Sequence, residues 1–158
     1  KQKLEFHEDL PVDIFYQHHK DTLHKRGREI SYNYHLIEKI HQTIKQHNSG
    51  TILYVSNQIG EIYCARLIIW DKMAAYSLAS STNQKQKTSG ASSLLFHYCI
   101  NYVKNFVNAF DFEGSMIENV ENSYRKFGTI QTPYLCINKI MTNNKLIKCI
   151  LGKKINGR

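Results

Sequence analysis

Several groups of side chains in this sequence have types and spacings that chemistry can use. Asp111, Glu113 and Ser115 alternate at the end of an apolar stretch. In an extended segment that alternation puts all three on one side of a sheet. A carboxylate held there can take a proton from a nucleophile. Glu113 is the first candidate for that base and Asp111 the second; the structural alternative is that either caps the next helix or pairs with Arg125. Tyr124, on that helix, is a candidate acid. A second group, Ser89, Gly90, Ala91, Ser92 and Ser93, is small and opens a helix, with Lys85 and Lys87 nearby. Free N–H groups and the positive dipole end of a helix suit an anion; a polar loop with a serine cap is the plainer alternative. Arg125 and Lys126 stand just before Phe127 and Gly128, where cations stabilise a helix C-terminus. The planar fork of Arg125 also suits phosphate or carboxylate. Phe127 reads as core and Gly128 as a left-handed helix stop. Arg66, set among Ile62, Cys64 and Ile68, is a charge on an apolar strand face and needs a partner. A structural ion pair is the simpler account, substrate binding the other.

No metal site is expected. The eight histidines include His35, His41 and His47 at intervals of six, which scatter around a helix instead of sharing a face. The four cysteines, Cys64, Cys99, Cys136 and Cys149, form no C-x-x-C pair. Cys64, Cys99 and Cys136 lie in apolar segments, as small hydrophobes do, which suggests a reducing, cytoplasmic setting.

Elements must position these groups. At 158 residues and 42% hydrophobic, the chain can build one core, and disorder is excluded. No apolar run is long enough for a membrane span. The start at Lys1 carries no signal-like region and points to a segment of a longer protein. Pro11 suits a first helical turn, followed by a stripe of Val12, Phe15, Tyr16, His19 and Leu23. Ser31 or Asn33 can cap a second helix with the stripe Leu36, Ile37, Ile40 and Ile44. Strands are expected at 51–56, 61–70 and 73–80. In the second, Tyr63, Ala65, Leu67 and Ile69 share one face, and Ile62, Cys64, Arg66 and Ile68 the other. A helix then repeats Leu94, Leu95, Tyr98, Cys99, Tyr102 and Phe106, followed by a strand at 109–113, a helix at 117–127 and a strand at 134–140. The expected result is one α/β domain with a mixed sheet over residues 1–140. The net charge of +8 is concentrated in a basic tail, 141–158, which either is solvated or touches phosphates.

This element order resembles the GNAT (acyl-CoA N-acyltransferase) fold, a central mixed, mostly antiparallel sheet flanked by helices. The resemblance sharpens at Phe110-Asp111-Phe112-Glu113-Gly114-Ser115-Met116-Ile117, then Tyr124-Arg125-Lys126-Phe127-Gly128 and Tyr134. That run is similar to the FemABX-related, BioF2-like branch, specifically over about residues 92–138 and more loosely over 12–91. It implies an acyl or aminoacyl transfer to an amine, with peptidoglycan precursors among the acceptors. It also implies an acyl donor held where two parallel strands, 73–80 and 109–113, splay apart, with Leu78, Ala79 and Ser80 as the edge for the developing oxyanion. Glu113 or Asp111 would deprotonate the amine, Tyr124 would protonate the leaving group, and Arg125 would handle the acyl group or phosphates. Ser89 to Ser93 would cradle the donor's phosphates. Gly90 is the one glycine in that loop where coenzyme A loops of the superfamily carry several, so acyl-CoA and aminoacyl-tRNA both stand as donors. The resemblance further implies an upstream GNAT-like unit in the same protein. Two other readings stay open: a catalytically silent unit that packs on such a partner and shapes an acceptor site, and an RNA-binding module using the basic tail with Tyr54, Tyr63 and Tyr98 as stacking platforms.

Overall fold

The computed structural model describes residues 3–86, 90–114 and 117–133. Residues 134–140, expected as a last strand, and the tail at 141–158 lie outside them, as do Lys87, Ser89, Ser115, Cys136 and Cys149. The chain divides into two compact units, Lys1–Glu121 and Asn122–Arg158.

In chain order the elements are β1 (Leu4–His7), α1 (Val12–His24), α2 (Tyr34–Gln46), β2 (Gly50–Asn57), β3 (Ile62–Trp70), β4 (Ala75–Thr82), α3 (Ala91–Val103), β5 (Phe110–Asp111) and α4 (Glu118–Arg125). The five strands form one sheet in the order β1-β2-β3-β4-β5. All neighbours are antiparallel except β4 and β5, which are parallel. Apolar residues cover both faces of the sheet. On one, Leu53, Val55, Cys64 and Ile68 meet Ala91, Leu95, Cys99 and Val103 of α3. On the other, Ile52, Ala65 and Leu67 meet Phe15 of α1 and Ile37 and Ile44 of α2. The result is a three-layer mixed α/β arrangement.

Local chemistry explains the boundaries. Asn33 is the cap of α2, its side chain accepting from the Leu36 N–H at 3.0 Å. The third long strand begins at Ala75, two residues after the expected Met73. The Asp71 carboxylate accepts from the N–H groups of Met73 (2.7 Å) and Ala74 (3.0 Å), holding both in a turn. In β3 the expected alternation holds from Cys64 to Ile69 but reverses at its start: Tyr63 packs with the α3 face and Ile62 with the α1/α2 face. The cause is a register shift, Val55 opposite Cys64 and Ser56 opposite Ile62, which leaves Tyr63 as an extra residue. The buried face of α3 is Ala91, Leu95, Phe96, Cys99 and Val103, whereas Leu94 and Phe106 of the expected stripe are exposed. Leu36 of α2 is exposed as well. Strand β1, not anticipated, pairs Leu4 to His7 with Asn57 to Tyr54.

Among the described residues no helix is long and apolar enough to cross a membrane.

Candidate functional site

The sheet opens where β5 meets β4. Their pairing covers only Ala75 opposite Phe110 and Tyr76 opposite Asp111, with the Ala75 N–H donating to the Ala109 carbonyl at 2.9 Å. Beyond that point β4 runs on to Thr82, paired with β3 on one edge and with no strand on its β5 side among the described residues. The expected parallel, parting pair is therefore present, though β5 is two residues long where five were expected. A second irregularity sits at the fork. Leu67 pairs with Ala79 and Ile68 with Ser77, so Leu78 is an extra residue in β4. Such a bulge re-aims the strand and its side chains.

The bulge sorts the three edge candidates. Asn83 donates to the Tyr63 carbonyl at 2.8 Å, so its backbone faces β3, and by alternation Ser81 and Ala79 face β3 too. Ser80 and Thr82 face away, onto the open edge. Side chains of α1 meet them there. The His19 ring nitrogen Nδ1 lies 2.8 Å from the Ser80 carbonyl. The Thr22 hydroxyl accepts from the Thr82 N–H at 3.1 Å and lies 3.1 Å from its carbonyl. Beside them His18 Nδ1 is 2.7 Å from the hydroxyl of Ser81, which is 1% exposed. The Ser80 N–H shares the open edge with its carbonyl.

Burial governs both imidazoles. Loss of solvent pushes the His18 pKa below the ordinary histidine value, against a hydrogen bond to the Ile62 backbone and the Asp21 charge. Loss of solvent also lowers that of His19, opposed by the Ser80 carbonyl and aided by Arg26. Sequence reasoning placed His19 only as one member of a helical stripe and gave His18 no role. The signal that could have separated them is a cluster of polar types, His18, His19 and Thr22, on the face of α1 that also carries Phe15.

The carboxylates arrange differently from expectation. Asp111 ends β5, and its carboxylate accepts from the Glu113 N–H at 2.7 Å. Glu113 has left the strand, with φ +63°, and Gly114 follows at φ +60°. Strand alternation therefore does not carry from Asp111 to Glu113, because two left-handed residues turn the chain. Both carboxylates are exposed, and Phe112 between them is buried against Phe96. Tyr124 and Arg125 belong to the second unit; Arg125 Nη2 donates to the Gln131 side chain at 3.1 Å, and α4 ends at Arg125, three residues before Gly128, which lies in the following turn at φ +72°.

Ala91, Ser92 and Ser93 form the first turn of α3, so they are helix and not loop. Gly90 precedes them at φ +78° with no side-chain cap. A Cβ there would meet nothing within 4 Å, so backbone conformation and not crowding asks for glycine. Arg66 is 4% exposed, donates from Nη1 to the Ser77 hydroxyl and lies over the Phe96 ring, 3.4 Å from its centroid. Tyr63 is 2% exposed and cannot be a stacking platform. Tyr54 stacks on His7 and Tyr98 on Phe6, at 4.7 and 4.4 Å. Among the described residues no group of three or more metal-binding side chains converges.

No family model and no curated protein matches the sequence. Solved structures do. A predicted acetyltransferase from Clostridium acetobutylicum, solved with acetyl-CoA, aligns at a TM-score of 0.71 and 12% identity, covering 86% of this chain and 96% of that one. The fold is that of the GNAT acetyltransferases. A possible acetyltransferase from Clostridium difficile 630 aligns at 0.67 and 10% identity, over 90% and 100% of the two chains. Glucosamine-6-phosphate N-acetyltransferase from Arabidopsis thaliana aligns at 0.62 and 10% identity, over 89% and 100%. In the GNAT fold of this chain, the fork between β4 and β5, the bulge at Leu78 and the entrance to α3 are the features on which a function can be built.

Proposed function

We propose that this chain is an acyltransferase that moves an acyl group from an activated donor to an amine. The observation that carries the reading is the parting of β4 from β5 beside the Leu78 bulge, which leaves the Ser80 N–H on an open strand edge. An N–H fixed on a rigid strand can hold the oxyanion of a tetrahedral intermediate without reorganising. Leu78 and Ala79 shape that edge. The N-terminal turn of α3, from Gly90 to Ser93 with Ser89 before it, offers N–H groups to the donor's phosphates. Acyl-CoA is the favoured donor, because a structure of the same fold was solved with acetyl-CoA; aminoacyl-tRNA is the donor if the FemABX-like run from Phe110 to Gly128 decides. On that branch, residues 1–140 form one unit of a longer enzyme, an upstream GNAT-like unit completes the acceptor site, and the acceptor belongs to the peptidoglycan precursors. Asp111 and Glu113 then serve the acceptor side.

A second reading has its own support. The His19 and Thr22 side chains already bond the Ser80 and Thr82 backbone on the open edge, as in a unit that no longer admits a donor. Calorimetric titration with coenzyme A and acetyl-CoA separates the two. Micromolar binding, weakened when Gly90→Val strains the entrance to α3, is the expected result. No heat at millimolar ligand removes acyl-CoA and leaves the aminoacyl-tRNA donor or the silent unit, to be distinguished with the upstream sequence restored.

A further inference from the structure

We propose that His19 is the proton-transfer residue of the acyl-transfer step; this rests on reading the open edge of β4 as the donor site. Among the described residues the ring makes one hydrogen bond, to the Ser80 carbonyl. A carbonyl oxygen can only accept, so the 2.8 Å contact with Ser80 requires the proton on Nδ1. In the neutral ring the lone pair then belongs to Nε2, and no hydrogen bond occupies Nε2 among the described residues. The tautomer of a base is thus set by the same residue whose N–H faces the reacting edge.

The ring is also held still. It is 8% exposed and stacked between Phe15, at 5.9 Å and 15°, and Tyr32, at 6.0 Å and 14°. Burial keeps it neutral at pH 7, as a base must be. Among the described residues the groups that face it are few. From its own helix come His18 next to it and, just beyond the helix end, the cation Arg26; the α1–α2 connection gives the Tyr32 phenol; β4 gives the uncharged Ser80 backbone. The carboxylates are less well placed for this task, because Asp111 is committed to the Glu113 N–H and Glu113 sits on an exposed left-handed turn. In the proposed step the amine nitrogen bonds to the thioester carbonyl carbon as its proton passes to Nε2. The C–S bond then breaks, and the imidazolium returns that proton to the leaving thiolate, giving amide and thiol.

The test uses acetyl-CoA with hydroxylamine as the probe amine, following thiol release. His19→Asn keeps an amide N–H where Nδ1 was and removes the Nε2 lone pair. Acetyl-CoA affinity should stay within about twofold of the parent while turnover falls by about 10²- to 10³-fold. Expressed per concentration of free hydroxylamine base, whose own protonation falls in the same pH range, parent turnover should rise with pH through an apparent pKa below the ordinary histidine value of 6.5, and that rise should vanish in the variant. Binding intact with turnover and pH profile unchanged in His19→Asn overturns the role of His19 and leaves the donor site standing. Absent binding, or binding without thiol release by the parent, overturns acyl-CoA as the donor at this edge and this thioester proposal with it. Imidazole ¹⁵N spectra of the unmodified chain give a check free of folding effects: the Nδ1–H tautomer is required, and an Nε2–H tautomer refutes the proposal.

Discussion

Arg66 shows how one side chain can tie the elements around the fork. It is 4% exposed on β3, bonded to Ser77 on β4 and placed 3.4 Å from the centroid of Phe96 on α3. A planar, delocalised cation can donate in its plane while its face meets a ring; the ammonium of lysine is a point charge and cannot do both. A buried charge-assisted hydrogen bond contributes about 1.5–3 kcal/mol and a desolvated cation–π contact about 2 kcal/mol. Arg66→Lys should therefore cost roughly 2–4 kcal/mol, read as a lower urea midpoint, and an unchanged midpoint would refute the tie. The same guanidinium draws down the thiols of Cys64 and Cys99, yet burial wins and pushes each up to about 12. Neither is a nucleophile at neutral pH. Peptide-resolved thiol labelling should find these two reacting no faster than the chain unfolds.

Elements meet tightly where α2 runs into β2. A Cβ on Gly50 would lie 2.7 Å from the Ile68 carbonyl oxygen and 2.8 Å from Ile44 Cδ1. The carbonyl belongs to a paired strand and cannot give way, since Gly50 sits opposite Ile69 in the ladder. Gly50→Ala should cost about 1–3 kcal/mol, a fall of roughly 3–10 °C in Tm by calorimetry; an unshifted Tm would mean that β2 and β3 move apart freely. Most elements were legible in the sequence: α1, α2 and α3 because their apolar residues recur at three and four, and β2 and β3 because short apolar runs bounded by turn residues mark strands buried on both faces. The two bulges were not, since an inserted residue such as Tyr63 or Leu78 has no periodic signature and shows itself only in the register of its partner. Strand β1 was missed because its four residues pair with a segment some fifty positions away. In the candidate site, Gly90, Asp111 and Glu113 stood out by residue type, but the left-handed turn that takes Glu113 off the strand did not. His19 and Thr22 did not, because their significance lies in bonds to Ser80 and Thr82, about sixty positions distant, which no local pattern contains.

For the molecule as a whole, the neutral histidines buried between α1 and β4 make folding depend on pH. Unfolded, His18 and His19 take protons at the ordinary value of 6.5, whereas in the fold burial lowers both. Between the unfolded and folded values the unfolded chain binds more protons, so stability rises with pH across that window. Their contribution is complete above pH 6.5 and is lost progressively as the pH falls below it. Asp9 acts in a lower window. Its carboxyl is held below 3.8 by hydrogen bonds from Lys45 and Thr51, so its contribution is present above that value and lost only in stronger acid. The Asp9–Lys45 pair is well exposed, at 57% and 45%, and contributes at most about 1 kcal/mol. The urea midpoint should therefore fall between pH 7.5 and pH 5.5 mainly through the two histidines. His18→Asn with His19→Asn should flatten that fall, and it should do so with α1 still docked, because both replacements put an amide N–H where Nδ1 was, facing the Ser81 hydroxyl and the Ser80 carbonyl. A double variant that loses stability toward pH 5.5 as steeply as its parent would place the proton uptake elsewhere, the half-buried His41 being the next candidate. It would also remove the physical basis for an imidazole kept neutral at the edge of β4.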